Sequence, residues 1–295
     1  MGLRWFYILC FSVGLSSCNW FDPFDIPNVE EDFKCVSYFM PIESDTSICF
    51  LSRSFDLYGP NSTESYDFCA KITSPSNEVV ACQFMESDTA SVWINTSDLE
   101  ILTPGDSLFL EIESPAFDII TSSSVIPEQA EIASYSMSSR SYFNGEKYFD
   151  EIVLELSDPS QMDEAYMIQL ILHIDTIGAP SPSIKNMKSD DSNMIIRSFG
   201  ERMLDNALFF EGSFWEGGHY TFLFRTKNNI EEGVPYHYTL LVHSISMDMY
   251  KFFYDLEASD MTGYFNGGSF AVYSNVDGAH GCFGTMQTSH ALLFP

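Results

Sequence analysis

Tyr166-Met167-Ile168-Gln169-Leu170-Ile171-Leu172-His173-Ile174 is the run whose reading decides the fold. Tyr166, Ile168, Leu170, Leu172 and Ile174 recur at every second position, so in an extended chain they share one face. A helix would scatter the same residues around its circumference. The run therefore predicts a strand with one apolar face turned to a core. The same period of two appears on both sides of it. Tyr66, Phe68, Ala70 and Ile72 alternate with Asp67, Cys69, Lys71 and Thr73. Leu108, Leu110 and Ile112 share a face, as do Ile152, Leu154 and Leu156.

Upstream of residue 128 the strand signals are short and closely spaced: Phe33–Met40, Thr46–Ser54, Tyr66–Thr73, Val79–Met85, Ser91–Asn95, Ser107–Ser114 and Phe117–Ile126. Pro104-Gly105-Asp106 reads as a turn between two of them. Seven or eight such strands predict an immunoglobulin-like β-sandwich over residues 32–128. Pro127 to Glu131 is the expected boundary. Beyond it the strands lengthen, and Asn144-Gly145 marks a hairpin between Ile132–Phe143 and Phe149–Ser157. Residues 175–206 are rich in Ser, Asp, Asn, Lys and Pro and have no clear period. A connection that long is functional or disordered by expectation. Strands resume at Tyr220–Arg225 and Tyr236–Ile245. A helix follows at 246–258, with Ser246 as cap, Asp248 in the first turn, and Met249, Phe252, Phe253 and Leu256 in one apolar stripe. The expected class is all-β: the sandwich, then a second β-sandwich or barrel-like domain over 129–295 carrying one short helix.

Composition narrows the function. Apolar residues make up 45% of the chain, enough for real cores, and 26 Phe with 15 Tyr favour strands. The formal net charge is −29, so the surface repels phosphate backbones. That argues against nucleic-acid partners and against a polybasic membrane-binding face.

The N-terminus reads as an export signal. Arg4, the apolar run Trp5–Leu15 and the small pair Ser16-Ser17 have the order of a secretory signal peptide over 1–17. The run is too short to span a hydrocarbon core of ~30 Å. Leu15-Ser16-Ser17-Cys18 resembles a bacterial lipobox, which implies that Cys18 is lipidated and becomes the first mature residue. Residues 18–31 then form an acidic tether, and the partner of first expectation is a membrane, held through the lipid anchor. Of the remaining cysteines, Cys35/Cys49 and Cys69/Cys82 lie on neighbouring expected strands, which permits disulfides in an exported protein. Reduced, buried thiols are the other reading.

Chemistry-bearing motifs are scarce. The chain has no G-x-S-x-G, H-E-x-x-H, Walker loop or G-x-G-x-x-G. His237 and His243 would point to one side of a strand but stand ~20 Å apart at ~3.3 Å per residue. The carboxylates at Asp190-Asp191 and at Asp158, Asp163 and Glu164 lack the order of a calcium loop and read as solvated loop charge. No metal, no small-molecule cofactor and no catalytic residue is expected, and the chain reads as non-enzymatic. Trp93, Trp215 and Tyr220 are candidate contact residues for a sugar or a protein partner, with core packing the competing role.

The segment Val272-Tyr273-Ser274-Asn275-Val276-Asp277-Gly278, followed by Gly281-Cys282-Phe283-Gly284, resembles the closing motif of a family of Bacteroidetes outer-membrane lipoproteins, catalogued as domain of unknown function 4249. The helix at Met249-Tyr250-Lys251-Phe252-Phe253, the segment Phe214–Tyr220, the turn Pro104–Leu108 and the lipobox fall in that family's order. The resemblance implies an outer-membrane location, on the surface or periplasmic side, and association with a TonB-dependent receptor. It carries over no catalytic residues. Tyr273, Asn275, Gly278, Gly281, Phe283 and Gly284 read as a structural motif: Asn and Gly suit tight turns and positive φ, and Tyr273 and Phe283 suit a core. The leading expectation is an accessory or binding lipoprotein beside such a receptor. A surface adhesion or glycan-binding module is the alternative, and an envelope hydrolase ranks last.

Overall fold

A computed structural model of the chain describes residues 33–39, 46–53, 68–75, 79–85, 90–95, 102–115, 117–143, 147–157, 164–190, 195–196, 206–212, 219–255 and 272–295. The first seven strands are β1 (Phe33–Phe39), β2 (Thr46–Arg53), β3 (Phe68–Thr73), β4 (Val79–Met85), β5 (Ala90–Asn95), β6 (Ser107–Ser114) and β7 (Phe117–Val125). They divide between two sheets in the orders β1-β2-β5 and β4-β3-β6-β7. The chain changes sheet after β2, after β4 and again after β5, as in a sandwich of immunoglobulin type. Ala70, Ile72, Leu108, Leu110, Ile112 and Ile120 are buried on one face of the second of these sheets. That is the face the alternation assigns to the core.

The other strands are β8 (Glu131–Phe143), β9 (Lys147–Ser157), β10 (Ala165–Ile174), β11 (Ser183–Ile184), β12 (Met187–Ser189), β13 (Ile195–Ile196), β14 (Leu208–Glu211), β15 (His219–Lys227), β16 (Tyr236–Ile245), β17 (Val276–Asp277) and β18 (His280–Leu293). Helix α1 occupies residues 247–255. One sheet runs β12-β15-β9-β8, and another runs β13-β14-β10-β16-β18, with β11 beside β10. Tyr166, Ile168, Leu170, Leu240 and Val242 from the second meet Ile152, Leu154, Leu156, Phe222 and Phe224 from the first in one core. Each large apolar side chain so buried contributes about 1.5–3 kcal/mol before chain entropy is counted. Among the described residues the class is thus all-β with one short helix, as the alternation predicts.

Strand β18 joins the two halves. Its first six residues, His280–Thr285, run parallel to β1 with Lys34 opposite His280. Its remaining residues, Met286–Leu293, run antiparallel to β16 with Ile245 opposite Met286. A single sheet therefore passes from β5 through β2, β1, β18 and β16 to β10. The short β17 pairs with β7, Val276 opposite Ser122, so the C-terminal hairpin grips both sheets of the N-terminal half.

Three expectations need correction. The described part of the segment 175–206 is ordered into short strands: β11 adds to β10, while β12 adds to β15 in the opposite sheet. The chain switches sheets at Lys185-Asn186, where the Lys185 N–H donates to Leu170 O (2.8 Å) and Thr226 Oγ1 donates to Asn186 O (3.0 Å). Strands of two or three residues are too short to display a period, so alternation could not reveal them. Second, β14 precedes the point where pairing was expected to resume, and Leu208, Phe209 and Phe210 are buried. Third, the hydroxyl of Ser246 does not cap the first turn of α1. It accepts from the Thr285 N–H (3.3 Å), and the helix starts from the Ser246 carbonyl, which accepts from Tyr250 N–H (3.1 Å). Leu256 and the expected end of the helix lie outside the described residues.

Met249, Phe252 and Phe253 form the expected stripe. They pack on the far face of the sheet from the main core, over Ala165, Met167, Phe209, Ile245, Cys282 and Met286. Cys69 is in no disulfide. Its cross-strand partner is Phe84, and Cys82 faces Lys71, which leaves the two cysteines on a diagonal. Diagonal neighbours lie ~7–8 Å apart, beyond the ~3.8 Å Cβ separation of a disulfide.

Candidate functional site

The closing motif is tied to its surroundings almost atom by atom. Asn275 Oδ1 accepts from Phe283 N–H (2.9 Å), and Asn275 Nδ2 donates to Phe283 O (2.8 Å) and to Ser123 O (3.3 Å). Ser122 Oγ donates to Asn275 O (2.7 Å). One amide thus clamps β18 and β7 together. Gly278 closes the turn at φ 80°, and a Cβ there would meet Ile119 O at 2.9 Å. Gly281, at φ 152°, lets its N–H donate to Ser274 Oγ (3.2 Å). Phe283 is fully buried. Tyr273 reaches α1: its hydroxyl donates to the Asp248 carboxylate, its N–H donates to Asp255 Oδ2 (2.9 Å), and Lys251 Nζ lies 5.6 Å from its ring centre. Burial, then the bond to Asp248, pushes the Tyr273 phenol up to about 12. Asp248 therefore serves Tyr273, a use beyond the helix-dipole role read from sequence.

Where the two halves meet, residues 124–130 cross β18 through polar contacts. Ser124 Oγ and Thr285 Oγ1 are 3.2 Å apart, and Thr285 Oγ1 also donates to Val125 O. Gln129 Nε2 donates to Thr288 O (2.7 Å), Ala130 N–H donates to Ser244 Oγ (2.9 Å), and Ser289 Oγ donates to Ala130 O. Glu164, taken from sequence for a solvated carboxylate, is buried and accepts from Glu128 N–H (2.7 Å). Asp190 is exposed and pairs with Arg225 Nη1 (3.0 Å); Asp158, Asp163 and Asp191 lie outside the described residues.

Further buried titratable groups stand inside the second half. Asp150 is fully buried at the start of β9. It accepts from Tyr238 OH (2.8 Å), Tyr236 OH (3.1 Å) and Asn228 Nδ2 (3.0 Å). Burial first, then the Asp150 charge, raises both phenols. Lys185, half-buried at the sheet switch, has its ammonium lowered by burial. His243 lies between Thr288 Oγ1 (2.7 Å from Nδ1) and Gln169 Oε1 (3.1 Å from Nε2), and burial lowers it to about 4. It is a neutral core residue.

One pairing escaped sequence reading. His173 lies directly opposite His237, and their rings stack coplanar with centres 4.6 Å apart. His237 Nδ1 is 2.9 Å from Asp175 Oδ2, His173 Nε2 is 3.0 Å from Thr239 Oγ1, and Phe294 extends the row 5.4 Å from His237. Their cross-strand placement depends on the register between β10 and β16, which spacing within either strand cannot supply. Among the described residues no group of three or more His, Cys, Asp or Glu is placed to hold a metal ion.

Of the contact residues read from sequence, Trp93 and Tyr220 have described positions. Trp93 sits on β5 opposite Ile48. Tyr220 is half-buried at the rim of the main core, its ring 4.5 Å from Phe222. Trp215 and Cys18 lie outside the described residues.

Fold and motif define an all-β protein whose two halves are locked by a shared C-terminal strand. The chain belongs to the family described as domain of unknown function, DUF4249, whose model matches residues 24–291. No curated protein matches it. Solved structures similar to it include trypsin-activated α-2-macroglobulin from Escherichia coli, at 9% identity and TM-score 0.23, covering 73% of this chain and 14% of that one. Salmonella α-2-macroglobulin reacted with methylamine is 8% identical at TM-score 0.26, covering 90% and 15%. The S. aureus collagen adhesin is 9% identical at TM-score 0.20, covering 90% and 94%. The chain thus spans about a seventh of either macroglobulin.

Proposed function

We propose that this chain is a lipid-anchored, non-enzymatic protein of the Bacteroidetes type, working in the outer membrane as accessory or binding partner of a TonB-dependent receptor. The observation that carries the reading is Leu15-Ser16-Ser17-Cys18 after an apolar run. A thioether-linked diacylglycerol on Cys18 would tether the two β halves beside integral membrane proteins, since two or more acyl chains anchor stably where one does not. The shared strand β18 supports the reading, because a locked pair of β units offers a preorganised surface and loses little entropy on binding. The receptor itself comes from family analogy. Affinity purification of the tagged full chain from native outer membranes, beside a Cys18→Ala variant, tests it. The reading requires acyl labelling and barrel recovery from the wild type, with both lost in the variant. Labelling without any barrel partner would leave the anchor and sink the receptor.

The glycan-binding alternative draws support from the row His173–His237–Phe294, in which Phe294 is 62% exposed, since saccharide C–H faces stack on such rings. A glycan-array signal lost in Phe294→Ala would favour it over the receptor reading.

A further inference from the structure

Among the described strands, β8 has a neighbour on one side only: it ends the sheet β12-β15-β9-β8. It is 13 residues long, against 3 for β12 at the opposite end. Natural edges of such length are guarded by Pro, Lys, inward-pointing charge or β-bulges. Between Glu131 and Phe143 there is neither Pro nor Lys, and the two charges, Glu131 and Arg140, cancel. Register shifts between Ile132 and Ser134 and between Ser138 and Ser141 leave Ser134–Ser138 as a regular stretch.

This stretch is open beyond its backbone. Ser134, Tyr135, Ser136 and Ser138 are exposed, and Met137 is half-buried. Tyr135 lies opposite the fully buried Leu154 yet is itself 47% exposed. The apolar rim of the core is therefore uncovered on the side where a further strand would lie. Tyr and Ser together give a surface with amphipathic contact area and adaptable hydrogen bonds.

We propose that the free edge of β8 at Ser134–Ser138 is a docking strip, which takes an extended segment of a partner protein by backbone pairing. The chemistry of the edge selects the occupant. A row of backbone donors and acceptors is matched by another strand and by neither a sugar nor a lipid. The incoming side chains next to Tyr135 and Met137 are apolar. The segment is neutral or basic, because the strip is uncharged on a chain of net charge −29 and acidic partners are repelled. The same repulsion disfavours a second copy of the chain. The inference rests on the partner-binding role proposed above and specifies where that partner docks.

The test places a benzoylphenylalanine photocrosslinker at Tyr135 of the full chain in its native cells, with a control at the exposed Leu223 of the same sheet. The proposal requires a crosslink from 135, absent from 223, that mass spectrometry maps to one short contiguous stretch of one partner polypeptide. Ser136→Pro should weaken it at least tenfold at unchanged melting temperature. Should proline lower the melting temperature, Met137→Lys, an edge guard, carries the comparison. No crosslink above the control, a product of twice the chain's mass, or a link within the chain itself would each overturn the proposal. If a barrel receptor co-purifies while residue 135 stays silent, the docking strip fails and the receptor reading stands. If nothing co-purifies, the receptor reading fails as well.

Discussion

Met249 of α1 stands directly over Gly284 of β18: a Cβ added at Gly284 would come within 2.6 Å of Met249 Cβ and 3.0 Å of its Sδ. The helix seats on the sheet because this position has no side chain. Gly284→Ala should destabilise the protein by about 1–3 kcal/mol, the range for overpacking a filled core. Urea unfolding measures it. Met249→Gly, which removes the Cβ, added to Gly284→Ala should recover part of the loss, whereas simple addition of the two costs would mean that the contact is not the cause.

Asn275 joins β18 to β7 through three side-chain hydrogen bonds. Asn275→Ala should cost about 2–3 kcal/mol, because the Phe283 N–H and C=O both lose their partner at the rim of the core. Calorimetry of the wild type and the variant decides this, and unchanged stability would make the clamp incidental.

Asp150 is the single acceptor shared by Tyr236, Tyr238 and Asn228. Asp150→Ala strands the Tyr236 and Tyr238 hydroxyls and leaves Asn228 Nδ2 only its bond to Tyr236 OH (2.8 Å), so it should cost about 3–5 kcal/mol, while Tyr238→Phe removes one donor and should cost about 1 kcal/mol. If chemical denaturation gives the two variants equal losses, the network is not organised around the carboxylate.

His243 predicts a pH dependence. Burial holds its folded value at about 4, below the ordinary 6.5. As pH falls below 6.5 the unfolded chain takes up the proton while the folded chain does not, so stability declines until pH approaches 4 and then levels off for this group. The loss attributable to it is at most about 3 kcal/mol. His243→Gln keeps hydrogen-bonding capacity without the titration. The difference in unfolding free energy between wild type and variant should therefore change between pH 7 and pH 4, and a constant difference would contradict the assignment.

The strands that alternate over six or more residues were legible without coordinates. Leu108, Leu110 and Ile112, or Ile152, Leu154 and Leu156, reveal their buried face because side-chain direction in a strand repeats every two residues. The stripe of α1 and the Gly278 turn are local in the same sense. Glu164 could not be read this way, since whether a loop carboxylate is solvated depends on what packs over it.

Local chemistry thus determined that the chain is built of strands, which of their faces are apolar, and where the helix starts. Partnership was decided only in three dimensions. β18 divides its length between β1, more than 240 residues away by the numbering of Lys34 and His280, and β16. The stack of His173 on His237 and the gathering of Asn228, Tyr236 and Tyr238 around Asp150 likewise join residues from different strands. Periodicity reports how one strand presents its own side chains. Register between strands comes from the summed burial and hydrogen bonding of both, and no single segment contains that sum.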